Sequence, residues 1–275
     1  MTTTAVAPAP DYPAIKTKQN AAWASGDYSR VGVTLQMVGE SLAETLDLRP
    51  GASVLDVAAG NGNATLAFAR RGCLVTSTDY VDTLLARGRA RAEAEGLDVR
   101  YEIADAEALP YNDSTFDGVV STFGVMFAPN QDKAAGELLR VCRPHGTIGL
   151  ANWTPAGFIG QVFQTLGKHV APPAGVYSPA RWGNESWITQ TFGPHARSIA
   201  VELRTFVFRY ASPEQFVDVF RTYYGPIHKA FLALDATGQA ALGADLIEAV
   251  ARFNTATDGS MRVPSEYAEV VIVKA

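Results

Sequence analysis

The chain has 275 residues, of which 47% are hydrophobic, and a formal net charge of −5. This length suits one large domain, or one domain with a substantial insertion. A mildly acidic chain argues against a dedicated nucleic-acid surface, which is normally basic. The two cysteines and four scattered histidines show no metal-ligand spacing. We therefore expect neither a nucleic-acid partner nor a bound metal.

The first ten residues, MTTTAVAPAP, lack the basic start and the long apolar core of a secretory signal. We interpret residues 1–10 as a mobile tail. No stretch of the sequence is long and apolar enough to span a membrane. These features favour a cytoplasmic protein that is not integral to a membrane.

Two helices are predicted before the first strand, over residues 12–25 and 34–47, with a turn between them at Gly26-Asp27-Tyr28. Apolar residues recur near helical spacing in the second of these segments. Trp23 and Tyr28 are the aromatic residues that stand out in this region. Ordinary aromatic packing is one explanation for both of them.

The most informative stretch is VLDVAAGNGN at residues 54–63, a short apolar run with an acid and then a glycine-rich turn. Residues 63–72 have helical composition, and CLVTSTD at 73–79 is a second apolar run that ends in Asp79. Short apolar runs of this kind suit parallel strands that are covered on both faces. The unit is therefore strand, glycine turn, helix and strand, with Asp56 and Asp79 at the carboxyl edge, where open α/β sheets bind ligands.

The residue types at this edge can each be explained by the ligand group that they suit. Gly60 and Gly62 allow positive φ and leave no Cβ between the backbone and a ligand. The helix that follows offers unpaired backbone N–H groups, which suit a carboxylate or a phosphate. Asp56 suits an ammonium or sulfonium, and Asp79 is placed to accept hydrogen bonds from both hydroxyls of a ribose. S-adenosyl-L-methionine has a ribose, a carboxylate and positive charge, and it fits this set.

A dinucleotide site is the competing interpretation, because its GxGxxG fingerprint looks similar. Here the third glycine is missing, since Ala64 and Thr65 follow Asn63. Asp56 would also place a negative charge near a pyrophosphate. An NAD-dependent oxidoreductase is therefore the less favoured alternative. A second alternative is that Asp56 only caps a turn.

Two further strands support the same edge. Residues 99–104 form a third predicted strand that is followed by Asp105 and Ala106, and an acid at this place can accept a hydrogen bond from the amino group of an adenine. Residues 115–122 form the fourth run, which ends near Ser121 and Phe123. Three acids that end neighbouring strands are far more specific than any single one.

The rest of the chain predicts a helix over residues 131–142 and a fifth strand over 145–152. Residues 154–193 are rich in proline, glycine and aromatic residues, which favours a cover over the active site. A strand over 198–210, helices over 213–224 and 238–253, and a strand over 267–273 complete the pattern. The prediction is an α/β fold with a doubly wound, Rossmann-like sheet of seven mostly parallel strands. A C-terminal helical and aromatic insertion between the sixth and seventh strands forms the acceptor pocket.

Taken in order, VLDVAAGNGN, TSTD, ADAEALP, FDGVVSTFGVMF and ELLRVCRPHGTIGLANW make the first 155 residues resemble the class I S-adenosylmethionine-dependent methyltransferases. The resemblance is greatest to the menaquinone and ubiquinone biosynthesis branch. It implies a methyltransferase that uses S-adenosyl-L-methionine and releases S-adenosyl-L-homocysteine. It also implies that the N-terminal segment covers the cofactor, which makes Trp23 and Tyr28 candidates for a lid.

The resemblance assigns roles residue by residue. The methionine part would be lined by Asp56, Ala58, Gly60, Asn61 and Gly62. Asp79 and Tyr80 would contact the ribose, Asp105 and Ala106 the adenine, and Ser121 and Phe123 the wall beside the sulfonium. One departure is Asn63, where relatives often carry an acid or a glycine. The predicted organisation is a tail over 1–10, a cofactor-binding core with lid helices over 11–155, and a substrate part over 156–275.

The acceptor is expected to be a small, largely apolar molecule, because the later segments hold many aromatics and few convergent charges. A sulfonium methyl is already activated, so direct in-line transfer depends on positioning and needs a base only for some acceptors. The candidate acceptor-side residues are Tyr177, Arg181, Trp182, Glu185, Tyr223 and His228. Among these, Tyr177, Tyr223 and His228 are weak catalytic candidates. A non-catalytic regulator that binds S-adenosylmethionine is the remaining alternative.

Overall fold

A computed structural model describes residues 10–275, and residues 1–9 of the predicted tail lie outside this range. The strands are β1 Ser53–Val57, β2 Leu74–Asp79, β3 Val99–Ile103, β4 Phe116–Thr122, β5 Cys142–Trp153, β6 Ala196–Tyr210 and β7 Met261–Lys274. They form one sheet in the order β3-β2-β1-β4-β5-β7-β6. Strands β1 to β5 are mutually parallel, and β7 runs antiparallel to both β5 and β6. The predicted seven-stranded, mostly parallel α/β sheet is confirmed.

Helices cover both faces of this sheet and its carboxyl edge. They are α1 Tyr12–Ser25, α2 Ser29–Gly32, α3 Gln36–Leu46, α4 Asn63–Arg70, α5 Asp82–Ala94, α6 Gln131–Val141, α7 Phe158–His169, α8 Glu185–Phe192, α9 Pro213–Tyr223, α10 Gly225–Ala233 and α11 Ala236–Phe253. Short 3₁₀ turns lie at Val33–Leu35, Val125–Phe127, Pro179–Gly183 and Gly193–His195. The predicted helical insertion between β6 and β7 is present, and α10 is a third helix beside the two expected ones, α9 and α11.

The strand order fixes where a ligand can bind. From strand β1 the chain moves outward through β2 to β3, and it then returns to place β4 on the other side of β1. The loops that follow β1 and β4 therefore diverge. A crevice opens between such loops at the carboxyl edge of the sheet.

The division predicted at residue 155 falls just after β5, but both sides of it share one sheet and one hydrophobic core. Leu55 and Val119 from the first part belong to the same buried cluster as Phe216 and Ile272 from the second. Strands β6 and β7 pair along their whole length, from Ala196↔Lys274 to Tyr210↔Met261. The C-terminal part thus completes the sheet that the first part begins.

The interpretation of residues 154–193 as a cover over the active site needs correction. Helix α7 packs against α11 and β7, and α8 packs against α6 and β6. The rings of Trp182 and Trp187 lie 4.8 Å apart, and both lie 6.3 Å from Phe192. These aromatics bury one another instead of facing the crevice. Of the whole segment, only Ile159 lines a cavity described below.

Candidate functional site

An open cavity of about 880 Å³ lies at the carboxyl ends of β1 to β4, between the sheet edge and α1. The sequence predicts thirteen cofactor-binding residues, and the structure brings ten of them to this cavity. The ten are Trp23, Tyr28, Ala58, Gly60, Asn61, Asp79, Tyr80, Asp105, Ala106 and Phe123. The crevice implied by the strand order is therefore present, and ten of the thirteen predicted residues line it.

Asp56, Gly62 and Ser121 do not line the cavity. Asp56 is the fourth residue of β1, and its Oδ2 accepts hydrogen bonds from the Thr65 backbone N at 2.8 Å and from the Thr65 Oγ1 at 2.6 Å. Ser121 Oγ donates to the Val57 carbonyl at 2.6 Å and accepts from the Val125 N–H at 3.0 Å. Gly62 precedes α4 with a φ of 83°. All three residues hold the loops in place. The prediction that they contact the ligand directly is therefore corrected to a role in supporting the loops that do.

The backbone of the glycine turn is unusual where it faces the cavity. Ala58 has a φ of 53° and Gly60 a φ of 57°, and across the crevice Phe123 has a φ of 56°. A Cβ on Gly124 would lie 2.0 Å from the carbonyl oxygen of Ala58. The loops after β1 and β4 therefore touch through bare backbone, which is possible only with glycine at position 124.

Asp79 ends β2 and is buried at the cavity wall. Its Oδ2 accepts a hydrogen bond from the Gly60 N–H at 2.9 Å, and its Oδ1 accepts one from the Val81 N–H at 2.9 Å. Burial raises the pKa of Asp79 to about 6, although these backbone N–H groups act in the opposite direction. Each carboxylate oxygen keeps further acceptor capacity. The group can therefore bind two hydroxyls of one ligand.

Asp105 lies beyond β3 and forms an ion pair with Lys16 of α1. The Lys16 Nζ is 2.5 Å from the Asp105 Oδ2 and 3.1 Å from the Glu107 Oε2. The Asn20 side-chain amide, also on α1, donates a hydrogen bond to the Tyr80 carbonyl at 2.7 Å. Sequence reasoning missed Lys16 and its neighbour Gln19, which also lines the cavity. The helical spacing of positions 16, 19 and 23 on one face of α1 is the signal that could have found them.

Asn61 is the cavity residue with the clearest unmet hydrogen-bonding capacity. It is 2% exposed, and its Nδ2 has no hydrogen-bond partner within residues 10–275. Arg91 donates to the Asn61 carbonyl at 2.7 Å and to the Asn63 Oδ1 at 2.9 Å, which holds the turn from below. Buried amide groups of this kind normally have a partner. The amide can therefore donate to an anionic ligand group.

A second, smaller cavity adjoins the first, and the open space of about 310 Å³ around it is partly continuous with solvent. The two cavities share Tyr28, Leu35, Phe123 and Phe127, and the second one is further lined by Val31, Trp153, Ile159, Phe208, Phe220 and Tyr224. None of the described residues along it is charged. Phe123 and Trp153 are stacked with ring centroids 3.9 Å apart and an interplanar angle of 6°. This cavity suits a flat apolar molecule.

The six candidate acceptor-side residues line neither cavity. Tyr177 is 60% exposed, with the Arg181 guanidinium 4.1 Å from its ring centroid. The His228 Nδ1 lies 2.9 Å from the Arg221 carbonyl oxygen. Tyr223 is the last residue of α9, and the next residue, Tyr224, leaves the helix with extended backbone and reaches the cavity instead. Arg181, Trp182 and Glu185 also line neither cavity.

Comparisons with known proteins agree with this architecture. Residues 55–150 match the family described as "Methyltransferase domain". The demethylmenaquinone methyltransferase of Thermus thermophilus is 33% identical over 165 residues, which cover 57% of this chain and 75% of that protein. An uncharacterized protein of Mycobacterium tuberculosis (strain ATCC 25618 / H37Rv) is 37% identical over 259 residues, which cover 92% of this chain and 94% of the other.

Solved structures with low identity share the fold. The phosphoethanolamine N-methyltransferase 2 of Haemonchus contortus, solved in complex with S-adenosyl-L-methionine, aligns with a TM-score of 0.53 at 17% identity, covering 86% of this chain and 52% of that one. The YcgJ protein from Bacillus subtilis aligns with a TM-score of 0.57 at 17% identity, covering 86% and 98%. The chain belongs to the class I S-adenosylmethionine-dependent methyltransferases, and S-adenosyl-L-methionine is its cofactor.

In residues 10–275, no helix combines the length and the apolar character needed to cross a membrane.

Proposed function

We propose that this methyltransferase acts on a small, largely apolar acceptor that binds in the second cavity. The observation that carries the proposal is the wall shared by the two cavities. Tyr28 and Phe123 line both the large cavity at the sheet edge and the smaller aromatic one. A molecule in the second cavity would therefore lie directly beside a molecule in the first.

The residues of the first cavity fit S-adenosyl-L-methionine. In this proposal, Asp79 accepts hydrogen bonds from both ribose hydroxyls, beside Tyr80. The unpartnered amide of Asn61 and the bare backbone around Gly60 hold the carboxylate end, because such groups donate without a Cβ in the way. Asp105, beside Ala106, accepts from the amino group of the adenine.

Helix α1 bounds the first cavity on the side opposite the sheet. Trp23 packs edge-to-face on Tyr28 at 5.5 Å and on Phe127 at 5.0 Å, so α1 forms a wall opposite the sheet. Lys16 fastens the same helix to Asp105 and Glu107. This arrangement supports a role for α1 in excluding water from the reacting groups.

S-adenosyl-L-methionine supplies an activated methyl group, which passes to the acceptor while the electrons of the broken C–S bond stay on sulfur and give S-adenosyl-L-homocysteine. The chain contributes position and shielding, which in favourable systems lower a barrier by about 7–11 kcal/mol. No histidine, and none of the described acids, lines the second cavity. We therefore propose that no side-chain base takes part and that the proton which the acceptor loses on methylation passes to water.

The test is a panel of acceptors that differ in size and charge, with S-adenosyl-L-homocysteine formation as the readout. We expect turnover with uncharged one- or two-ring molecules and none with acceptors that carry ammonium or phosphate groups. An Ile159→Phe variant should retain affinity for S-adenosyl-L-methionine and lose turnover of the larger acceptors, because its ring fills the second cavity. Ile247→Phe is the matched control, since Ile247 is half-buried on α11 and lines neither cavity.

Two results would overturn the proposal. One is turnover that is confined to charged acceptors. The other is tight binding of S-adenosyl-L-methionine without turnover across the whole panel, which would favour a non-catalytic regulator.

A further inference from the structure

Strand β6 ends the sheet on one side, because it pairs with β7 only. It is 15 residues long, whereas the strand at the opposite edge, β3, has 5 residues. Within residues 10–275, the backbone of residues 200–206 makes no hydrogen bond outside its ladder with β7. This open edge, residues 200–206, therefore presents free N–H and C=O groups, which are a template for a further strand.

The side chains of the open edge are accessible on both faces of the sheet. Leu203 is 61% exposed, and Glu202, which points to the other face, is exposed as well. Edge strands that stay unpaired usually carry a proline, a bulge or a lysine. The open edge contains none of these, and its one basic residue, Arg204, is half-buried with its Nε 2.9 Å from the Glu269 Oε1. This edge is therefore not guarded against pairing.

A second copy of the chain matches the open edge in one register. Opposite residues of an antiparallel pair lie on the same face, so a two-fold axis brings one residue opposite its own copy. With the axis at Leu203, Glu202 lies opposite the partner's Arg204, and the symmetry repeats this pair of opposite charges. An axis at Val201 or at Thr205 instead places both charged side chains opposite uncharged ones. Charge complementarity therefore selects the axis at Leu203.

The same register keeps like charges out of the open edge. Arg197 and Arg209 would stand opposite each other, but both lie beyond its ends. The pairing of β6 with β7 shifts register beside Arg197, and Arg209 turns back to donate to the Val207 carbonyl at 2.9 Å. On the face opposite the charged pairs, the exposed Leu203 meets its own copy, and this contact buries apolar surface.

We infer that two copies of the chain pair in antiparallel fashion through the open edge, about a two-fold axis at Leu203, and so join two seven-stranded sheets into one. The pairing covers the long edge of both copies and leaves the short β3 at either end, so assembly stops at a dimer. Strand β6 also carries Phe208, which lines the second cavity. The dimer therefore holds in place a strand that forms part of that wall.

The test measures mass by sedimentation equilibrium over a series of protein concentrations. We expect the wild-type chain to reach about twice the mass of one chain. Leu203→Lys and Leu203→Glu should each stay monomeric at the same concentrations, because like charges then meet on the axis. Both variants should fold, since the side chain is exposed, and far-UV circular dichroism checks this. An equimolar mixture of the two should recover the dimer, because opposite charges then meet at the same place.

Leu232→Lys is the matched control, because Leu232 is 64% exposed but lies on α10, away from β6, and this variant should dimerise like the wild type. Hydrogen exchange locates the interface: amides of residues 200–206 should exchange more slowly in the wild type than in Leu203→Lys. A wild-type chain that is monomeric at every concentration overturns the inference, and so does a dimer that persists in both folded Leu203 variants. A mixture of these variants that stays monomeric overturns the axis at Leu203 and the inference with it.

Discussion

The packing of α1 against the C-terminal insertion gives a prediction that glycine substitutions can test. A Cβ on Gly225 would lie 2.5 Å from the Ala22 carbonyl oxygen, 2.9 Å from the Ala22 carbonyl carbon and 3.1 Å from the Trp23 Cα. All three atoms belong to the backbone, so no side chain can rotate away. Gly225→Ala must therefore push α10 and α1 apart.

The size of the effect follows from two opposing contributions. Overpacking of a close contact costs about 1–3 kcal/mol, and replacing a helical glycine by alanine returns at most about 1 kcal/mol. We expect Gly225→Ala to lower the free energy of unfolding by about 1–2 kcal/mol. Gly243→Ala in α11 is the control, because its Cβ meets no atom within 4 Å, and it should stabilise the protein by about 0.5–1 kcal/mol.

Urea unfolding measures the change in the free energy of unfolding. Calorimetric titration with S-adenosyl-L-methionine measures a second expected effect, on cofactor binding. Because α1 carries Lys16, Gln19 and Trp23 into the first cavity, the proposed cofactor site, Gly225→Ala should also weaken cofactor binding while Gly243→Ala leaves it unchanged. Equal unfolding midpoints for the two variants, with equal cofactor affinities, would refute the reasoning.

Three further predictions concern the acids and the turn. Because burial raises the pKa of Asp79 to about 6 and ribose hydroxyls need a carboxylate acceptor, calorimetry should show affinity for S-adenosyl-L-methionine falling from pH 7 to pH 5. Asp79→Asn should weaken binding at pH 7 by about 1.5–3 kcal/mol and lose this dependence; an unchanged affinity would contradict the placement. Burial also raises the pKa of Asp56 to about 7, so the native state holds this proton more tightly than the unfolded chain does. The stability contributed by protonated Asp56 is therefore lost as the pH rises from about 4 to about 7, and Asp56→Asn should flatten that fall in urea unfolding. Gly124→Ala should abolish cofactor binding, because its Cβ would lie 2.0 Å from the Ala58 carbonyl oxygen; calorimetry on the folded variant would expose an error if binding persists.

The parts of the fold that sequence predicted well depend on local patterns. Helix α4 begins at Asn63 as predicted, directly after the glycine turn, and β2 ends at Asp79. The final strand was predicted from residue 267, but it begins at Met261. Pro264 lacks an N–H and weakens the strand pattern there. Pairing with β6, where Val207 lies opposite Pro264, extends the strand nevertheless.

The first cavity is more predictable from the sequence than the second for a physical reason. Two of its acids, Asp79 and Asp105, lie at or beyond the ends of strands whose order is a property of the fold, so sequence position alone brings them together. Asp56 shows the limit, because it lies one residue before the end of β1 and its carboxylate caps the first turn of α4 through Thr65. A one-residue change of position along a strand reverses the face that a side chain occupies.

The second cavity has no such local signature. Its walls come from α2, the loop after β4, β5, α7, β6 and the junction of α9 with α10, and each contributes one or two aromatic or aliphatic side chains. In the sequence these residues look the same as the core aromatics Trp182 and Phe192. Tyr224 lines the cavity and its neighbour Tyr223 does not, a difference that appears only once the chain is folded.

Backbone strain marks the place where the two cavities meet. Ala58 and Phe123 hold positive φ without being glycine, a conformation that costs about 1–3 kcal/mol per residue and persists only when the surroundings enforce it. Here the surroundings are the short contact between Gly124 and Ala58 and the stacking of Phe123 on Trp153. The same conformation directs the Phe123 ring into the wall shared by both cavities. The strain is therefore retained at the position that would separate, and align, a methyl donor and its acceptor.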